Sequence, residues 1–151
     1  SPERFTGYHT GTDFETFVSE QSSAVEVRTI CGGPLRKVQY TRGYGGVVTQ
    51  ECMLGDVRLT VLYGHMALSS ITAKPNAYLA KGSNLGILGK AHSRETDFER
   101  KHLHLGIHAG IKGDLRGYVP KAAQLKTWRN PCEVARRICG EEGRALEGAL
   151  F

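Results

Sequence analysis

No stretch of this 151-residue chain approaches the roughly 18 consecutive apolar residues that a membrane-spanning helix needs, so the sequence offers no such anchor. A basic segment followed by an apolar one, the mark of a secretory leader, is also missing. Maturation removes leaders, so this gap does not argue for the cytoplasm. The four cysteines, Cys31, Cys52, Cys132 and Cys139, never fall in Cys-x-x-Cys spacing, which argues against a structural zinc knuckle. Internal repeats and low-complexity linkers are lacking too, and a single domain is expected. Acidic residues are the scarcer charge, 15 against 20 lysines and arginines, giving +5. That balance favours anionic partners without choosing among a polymer, a nucleic acid and an acidic membrane surface. Aromatic and basic side chains interleave only at Tyr40, Arg42 and Tyr44, a poor platform for stacking bases, so nucleic acid is not the expected partner.

What is present is strand-rich. Val25 to Cys31 and Val57 to Tyr63 alternate in polarity, and Lys37 to Tyr40 and Val47 to Glu51 flank Gly43-Tyr44-Gly45-Gly46. The pattern predicts an antiparallel meander with a glycine-permitted turn. Met66 to Ser70 reads as a turn or short helix, Pro75-Asn76 as a turn, and Gly86 to Gly89 as a return into the sheet. Near the end, Asn130-Pro131-Cys132-Glu133 has the cap, first-turn proline and acidic third position of a helix start. Val134, Ala135, Ile138 and Cys139 then make an apolar stripe up to Gly140. In an unbroken helix Cys132 and Cys139 would stand about 10 Å apart, beyond disulfide reach, whereas Cys31 and Cys52 end strands that could be neighbours. The fold class expected from this pattern is mainly β, an antiparallel sheet with a short C-terminal helix. At this length about two-thirds of the unfolded surface can be buried, enough for a core without help from disulfides.

Three short pieces carry the chemistry: His9-Thr10-Gly11-Thr12-Asp13, Tyr63-Gly64-His65 and His102-Leu103-His104. Histidines two apart on a strand point to one face, so His102 and His104 can reach a common centre if their segment is extended. Leu103, Leu105, Ile107 and Ala109 form one row there, and His102, His104, Gly106 and His108 the other. The histidine row should look away from the core, into a cleft. Upstream, Val57, Leu59, Val61, Tyr63 and His65 share a face, which places His65 at the end of an inward-pointing row. A catalytic zinc takes three protein ligands of imidazole and carboxylate type and keeps a fourth position open. His9, Asp13 and one histidine of the pair could fill that set. His108 reads as rim, His92 as solvated, and Glu95, Asp97 and Glu99 as a solvated charged loop rather than catalytic bases.

In this order, His-x-Gly-x-Asp, Tyr-Gly-His and His-Leu-His resemble the motifs of the lysostaphin-type (LytM-like) zinc endopeptidases, enzymes that cut peptides of the bacterial cell wall. The resemblance runs over about residues 5 to 131 and includes the glycine-spaced Lys81 to Gly89. It implies that Zn2+ is held by His9, Asp13 and His104, while His102 and His65 stay off the metal and act in catalysis. It further implies a LytM-like open barrel or two-layer sheet as the architecture, peptidoglycan peptides as substrate, and an extracellular, cell-surface or periplasmic location; a monomer is expected. On this reading residues 1–129 are the peptidase domain and 130–151 a helical extension packed on it. One departure matters: Lys90 to Lys101 is charged where the family has a short Gly, Ser and Thr stretch, so substrate preference does not carry over. The competing reading is a catalytically inactive wall-binding or amidase-regulating domain of the same fold, which missing ligands would favour. All five positions are filled here.

Overall fold

The computed structural model describes residues 6–110 and 114–134. Its strands in chain order are β1 (Tyr8–His9), β2 (Gly11–Glu15), β3 (Glu26–Arg28), β4 (Gly33–Thr41), β5 (Gly45–Leu54), β6 (Val57–Gly64), β7 (Tyr78–Leu79), β8 (Asn84–Ile87), β9 (His102–Ala109), β10 (Tyr118–Val119) and β11 (Trp128–Arg129). A single helical turn, α1 (Pro131–Val134), follows.

The meander is β4, β5 and β6, all antiparallel, and β9 adds to the free edge of β6. The outer edge of β9 is shared end to end, β2 pairing with His102 to Gly106 and β11 with Ile107 and His108. The described sheet runs β11-β9-β6-β5-β4-β7 and does not close into a barrel. This is the mainly antiparallel β class that the alternation predicts.

Alternation sorts the two faces. Leu59, Val61, Tyr63, Leu103, Leu105 and Ile107 point to one side and join Leu35, Val48, Cys52 and Phe14 in the main core. The opposite side carries a smaller apolar group, Tyr44, Val47 and Leu62 with Leu115, beneath the histidine row. Tyr63 is fully buried, yet its hydroxyl is satisfied, accepting from the Ile30 amide at 3.0 Å and donating to Gln50 Oε1 at 3.1 Å. Buried polar groups cost little only when paired in this way.

The expected strand from Val25 to Cys31 is shorter and elsewhere. Only Glu26–Arg28 is strand, and it pairs with β8 in a separate two-stranded ribbon. Val25, Val27 and Ile30 pack with Leu85 and Leu88 as a cover over the main core, so their alternation reports burial against a sheet face and not membership of that sheet. Cys31 then returns to the meander through a disulfide to Cys52, with Cα atoms 6.1 Å apart.

Asn130 caps α1, its Oδ1 accepting from the Cys132 amide at 2.9 Å. Cys132 is disulfide-bonded. The expected stripe through Ala135, Ile138 and Cys139, and the 130–151 extension as a unit, lie outside the described residues.

Candidate metal centre

β2 and β9 bring the first pieces together by register. Asp13 stands opposite His104 and Glu15 opposite His102, so residues two apart on each strand form one row on one face. His9 reaches the same place from β1, whose partner β10 sets it opposite Tyr118. The donor atoms converge. His9 Nε2 lies 3.0 Å from His104 Nδ1, and the Asp13 Oδ1 atom lies 3.4 Å from the first and 3.2 Å from the second.

These separations fit a metal. Four ligands at zinc's bond lengths of about 2.0–2.1 Å, arranged tetrahedrally, stand about 3.3 Å from one another. Two imidazole lone pairs and a carboxylate oxygen at 3.0–3.4 Å need a proton or a cation between them, and two nitrogens with one oxygen is a zinc-type set. His104 Nε2, on the far side of the ring, is buried with no partner among the described residues, which leaves Nδ1 as its functional atom.

His65 arrives by a route that strand parity misses. Tyr63 points into the main core, and simple alternation would send His65 the same way. Instead His65 follows β6 with φ 64°, in the left-handed region, and lines the cleft. Its ring sits 4.2 Å from that of His102. Gly64 makes this possible, because a Cβ there would come within 2.7 Å of the Tyr44 ring.

The expectation that the histidine row looks away from the core holds for His102 and His104, yet their rings are almost wholly covered: each is 3 % exposed, and the neighbouring His65 4 %. The cost of charging an imidazole in such surroundings sets their protonation. Burial, aided by the neighbouring histidines, lowers the His65 pKa to about 3. Burial also lowers His102 and His104, against the opposing pull of the Asp13 charge. Burial pushes the Asp13 carboxyl up, but its hydrogen bonds with His104 and His9 outweigh this and hold it far below the usual carboxylate range. Asp13 is therefore a carboxylate beside the neutral rings of His65, His102 and His104 at neutral pH.

His102 has a fixed tautomer. Its Nδ1 lies 2.9 Å from the Arg100 carbonyl, which can only accept, so the proton is on Nδ1 and the lone pair is on Nε2. That lone pair faces the centre, 3.5 Å from Asp13 Oδ2.

The five residues open onto a cleft of about 480 Å³. Its walls include three residues that sequence patterning did not assign to the site. Arg100 donates to Asp13 Oδ2 at 3.1 Å. Tyr44 packs its ring 5.0 Å from His104. Tyr118 lies 5.0 Å from the His9 ring. Arg100 was legible in principle, because it continues the 102, 104 row by one more step of two.

The other readings resolve individually. His92 is exposed. His108 is half-buried outside the centre, against Trp128. Asp97 is not solvated: it is 6 % exposed and accepts from Tyr40 Oη at 2.8 Å and the Gly43 amide at 2.9 Å, tying the charged loop to the β4–β5 turn. Of the two tyrosines at this turn, Tyr44 is buried, and Tyr40 is 41 % exposed with the Arg94 guanidinium 5.0 Å from its ring centre.

No protein-family model matches the chain, and no curated protein matches it. Solved structures do. The chain is similar to LytU, with TM-score 0.62 and 15% identity over 96% of this chain and 85% of that one. It is similar to CbpA of L. salivarius REN, with TM-score 0.58 and 19% identity over 88% and 78%. It is also similar to a Ruminococcus gnavus lytM provisionally assigned as a glycyl-glycine endopeptidase, with TM-score 0.59 and 20% identity over 89% of this chain and 48% of that one. The chain has the fold of these LytM-like structures.

Proposed function

We propose that this chain is a zinc-dependent endopeptidase that hydrolyses peptide bonds of bacterial cell-wall peptidoglycan, in a cross-bridge or stem peptide, outside the cytoplasmic membrane. The observation that carries this reading is the convergence of His9, Asp13 and His104 donor atoms at 3.0–3.4 Å beside two further buried, neutral histidines in one cleft. The LytM-like fold supports the wall as substrate. Among the described residues no helix is long and apolar enough to cross a membrane.

His9 Nε2, His104 Nδ1 and Asp13 Oδ1 would hold the metal. Zinc, when bound, supplies Lewis-acid polarisation of a carbonyl and acidifies water. His102 then serves as general base: its Nε2 lone pair faces the centre, and burial keeps that ring neutral and able to accept the proton of the attacking water. The Arg100 carbonyl prevents the wrong tautomer. His65 donates an N–H to the oxygen on which charge develops, an interaction that strengthens toward the transition state. With its pKa near 3 it acts as a neutral donor and not as a cation.

The test is release of new amino groups from purified peptidoglycan, with and without a zinc chelator. His104→Ala and Asp13→Ala are expected to lose both bound zinc and hydrolysis, and His102→Ala to keep zinc and lose at least about 100-fold in turnover. A His104→Ala protein with full metal occupancy would sink the ligand assignment. Bound zinc in the parent without release from any wall preparation would favour the inactive, wall-binding reading.

A further inference from the structure

We infer that Arg100, held in place by Glu15, is a positioning residue that fixes the Asp13 carboxylate so that one oxygen serves the metal and the other is withheld from it. The inference rests on the zinc reading above and adds residues outside the ligand and histidine set.

The two oxygens of Asp13 have different surroundings. Oδ1 faces His9 and His104 at 3.4 and 3.2 Å, whereas Oδ2 receives Arg100 Nη2 at 3.1 Å. A carboxylate free to rotate could present either oxygen or both. Arg100 removes that freedom, and it is itself restrained: its Nε donates to the Glu15 oxygens at 2.9 and 3.1 Å, and its Nη2 also donates to Glu15 Oε1. An isolated exposed arginine–carboxylate pair contributes little, because holding two flexible side chains offsets the attraction. Here the guanidinium is planar and bridges two carboxylates two residues apart on β2, so one ordered side chain makes several charge-assisted bonds.

The backbone beneath is anchored as well. Lys101, the next residue, is 4 % exposed and donates its ammonium protons to the carbonyls of Glu20, at 2.9 Å, and Ser23. Its own carbonyl accepts from Thr16 Oγ1 at 3.1 Å. Arg100 therefore enters the site from a fixed point, and its carbonyl sets the His102 tautomer while its side chain sets Asp13. One residue orients a metal ligand and the general base.

Two opposing effects act on the metal. The guanidinium charge repels a cation, and the restraint on Asp13 favours binding by removing the freedom that a ligand must otherwise lose. Groups that orient ligands typically change metal affinity by about 10–100-fold when removed, so orientation is expected to win. The experiment is competition of the full chain with a chromophoric chelator for zinc, which needs no hydrolysis. Arg100→Ala should weaken zinc binding about tenfold, Arg100→Lys should recover part of it, and Glu15→Gln should fall between, while melting of the metal-free proteins stays near the parent's. Unchanged or tighter zinc binding by a natively melting Arg100→Ala protein overturns the inference. If that variant does not fold, Glu15→Gln decides on the same criterion. A parent that binds zinc but releases no amino groups defeats the hydrolase reading alone, and one that binds no zinc defeats both.

Discussion

A buried imidazole can accept a proton only if it begins without one, and the depressed pKa of His102 secures this at neutral pH. The step that His102 serves should therefore persist below pH 6.5 and be lost as the pH drops through the lowered His102 value, which the acid limb of a kcat/KM pH profile checks. The same burial makes an apo-protein prediction. His65 titrates near 3 when folded, against 6.5 in its ordinary state. Between these values the unfolded chain binds the extra proton, so stability is fully present above about pH 6.5 and declines as the pH falls toward 3. Thermal melts of metal-free protein from pH 7.5 to 4 check this, and a melting temperature that rises on acidification would contradict it. At this scale the sequence was legible where side-chain period decides geometry. His102, His104 and Asp13 share a face because 102, 104 and 13, 15 are steps of two on paired strands. His65 was recognisable as a site residue but not its route, since a left-handed φ of 64° leaves no trace in alternation. That Tyr44 and Tyr118 line the site escaped patterning because their positions depend on pairings between distant segments.

The β4–β5 turn is held by the charged loop, so two elements far apart in sequence behave as one wall of the cleft. Asp97 satisfies the Gly43 amide and the Tyr40 hydroxyl, and Gly45, with φ 71°, lies so close to the Glu95 carbonyl that a Cβ would sit 2.0 Å from its oxygen. Asp97→Ala removes the acceptor of the Gly43 amide and one contact of the Tyr40 hydroxyl and should destabilise by about 1–3 kcal/mol. Gly45→Ala adds backbone strain to a backbone clash and should lose at least as much. Denaturant unfolding measures both, and a Gly45→Ala protein as stable as the parent would show that this contact is not close in solution. The meander was readable from turn glycines and alternation, and the helix start from Asn130 and Pro131. The placement of β3 was not, because apolar alternation is the same whether a strand lies in a sheet or packs across its face. The charged loop misled for a similar reason: composition marks Asp97 as solvated, whereas its burial follows from a tertiary contact with the turn.

Over the whole molecule a charge of +5 biases encounter with anionic matter, and the open cleft carries Arg42, Arg100 and Arg116 among its lining residues. Arg100 is neutralised by Glu15 and Asp13, and Arg116 by Asp114 through a fork of hydrogen bonds at 2.6–3.1 Å. On the proposed reading, attraction to an acidic wall polymer would therefore come from the molecule's summed field and not from the cleft alone. Such attraction is screened over a Debye length of about 10 Å at 0.1 M salt and about 3 Å at 1 M. Wall sedimentation and kcat/KM on intact wall should both fall several-fold between 50 mM and 500 mM salt, whereas hydrolysis of a short neutral peptide, which meets only the buried centre, should change little. If salt weakened both substrates equally, the charge would be acting at the metal centre itself, and the separation of a steering surface from a neutral reaction site would be wrong.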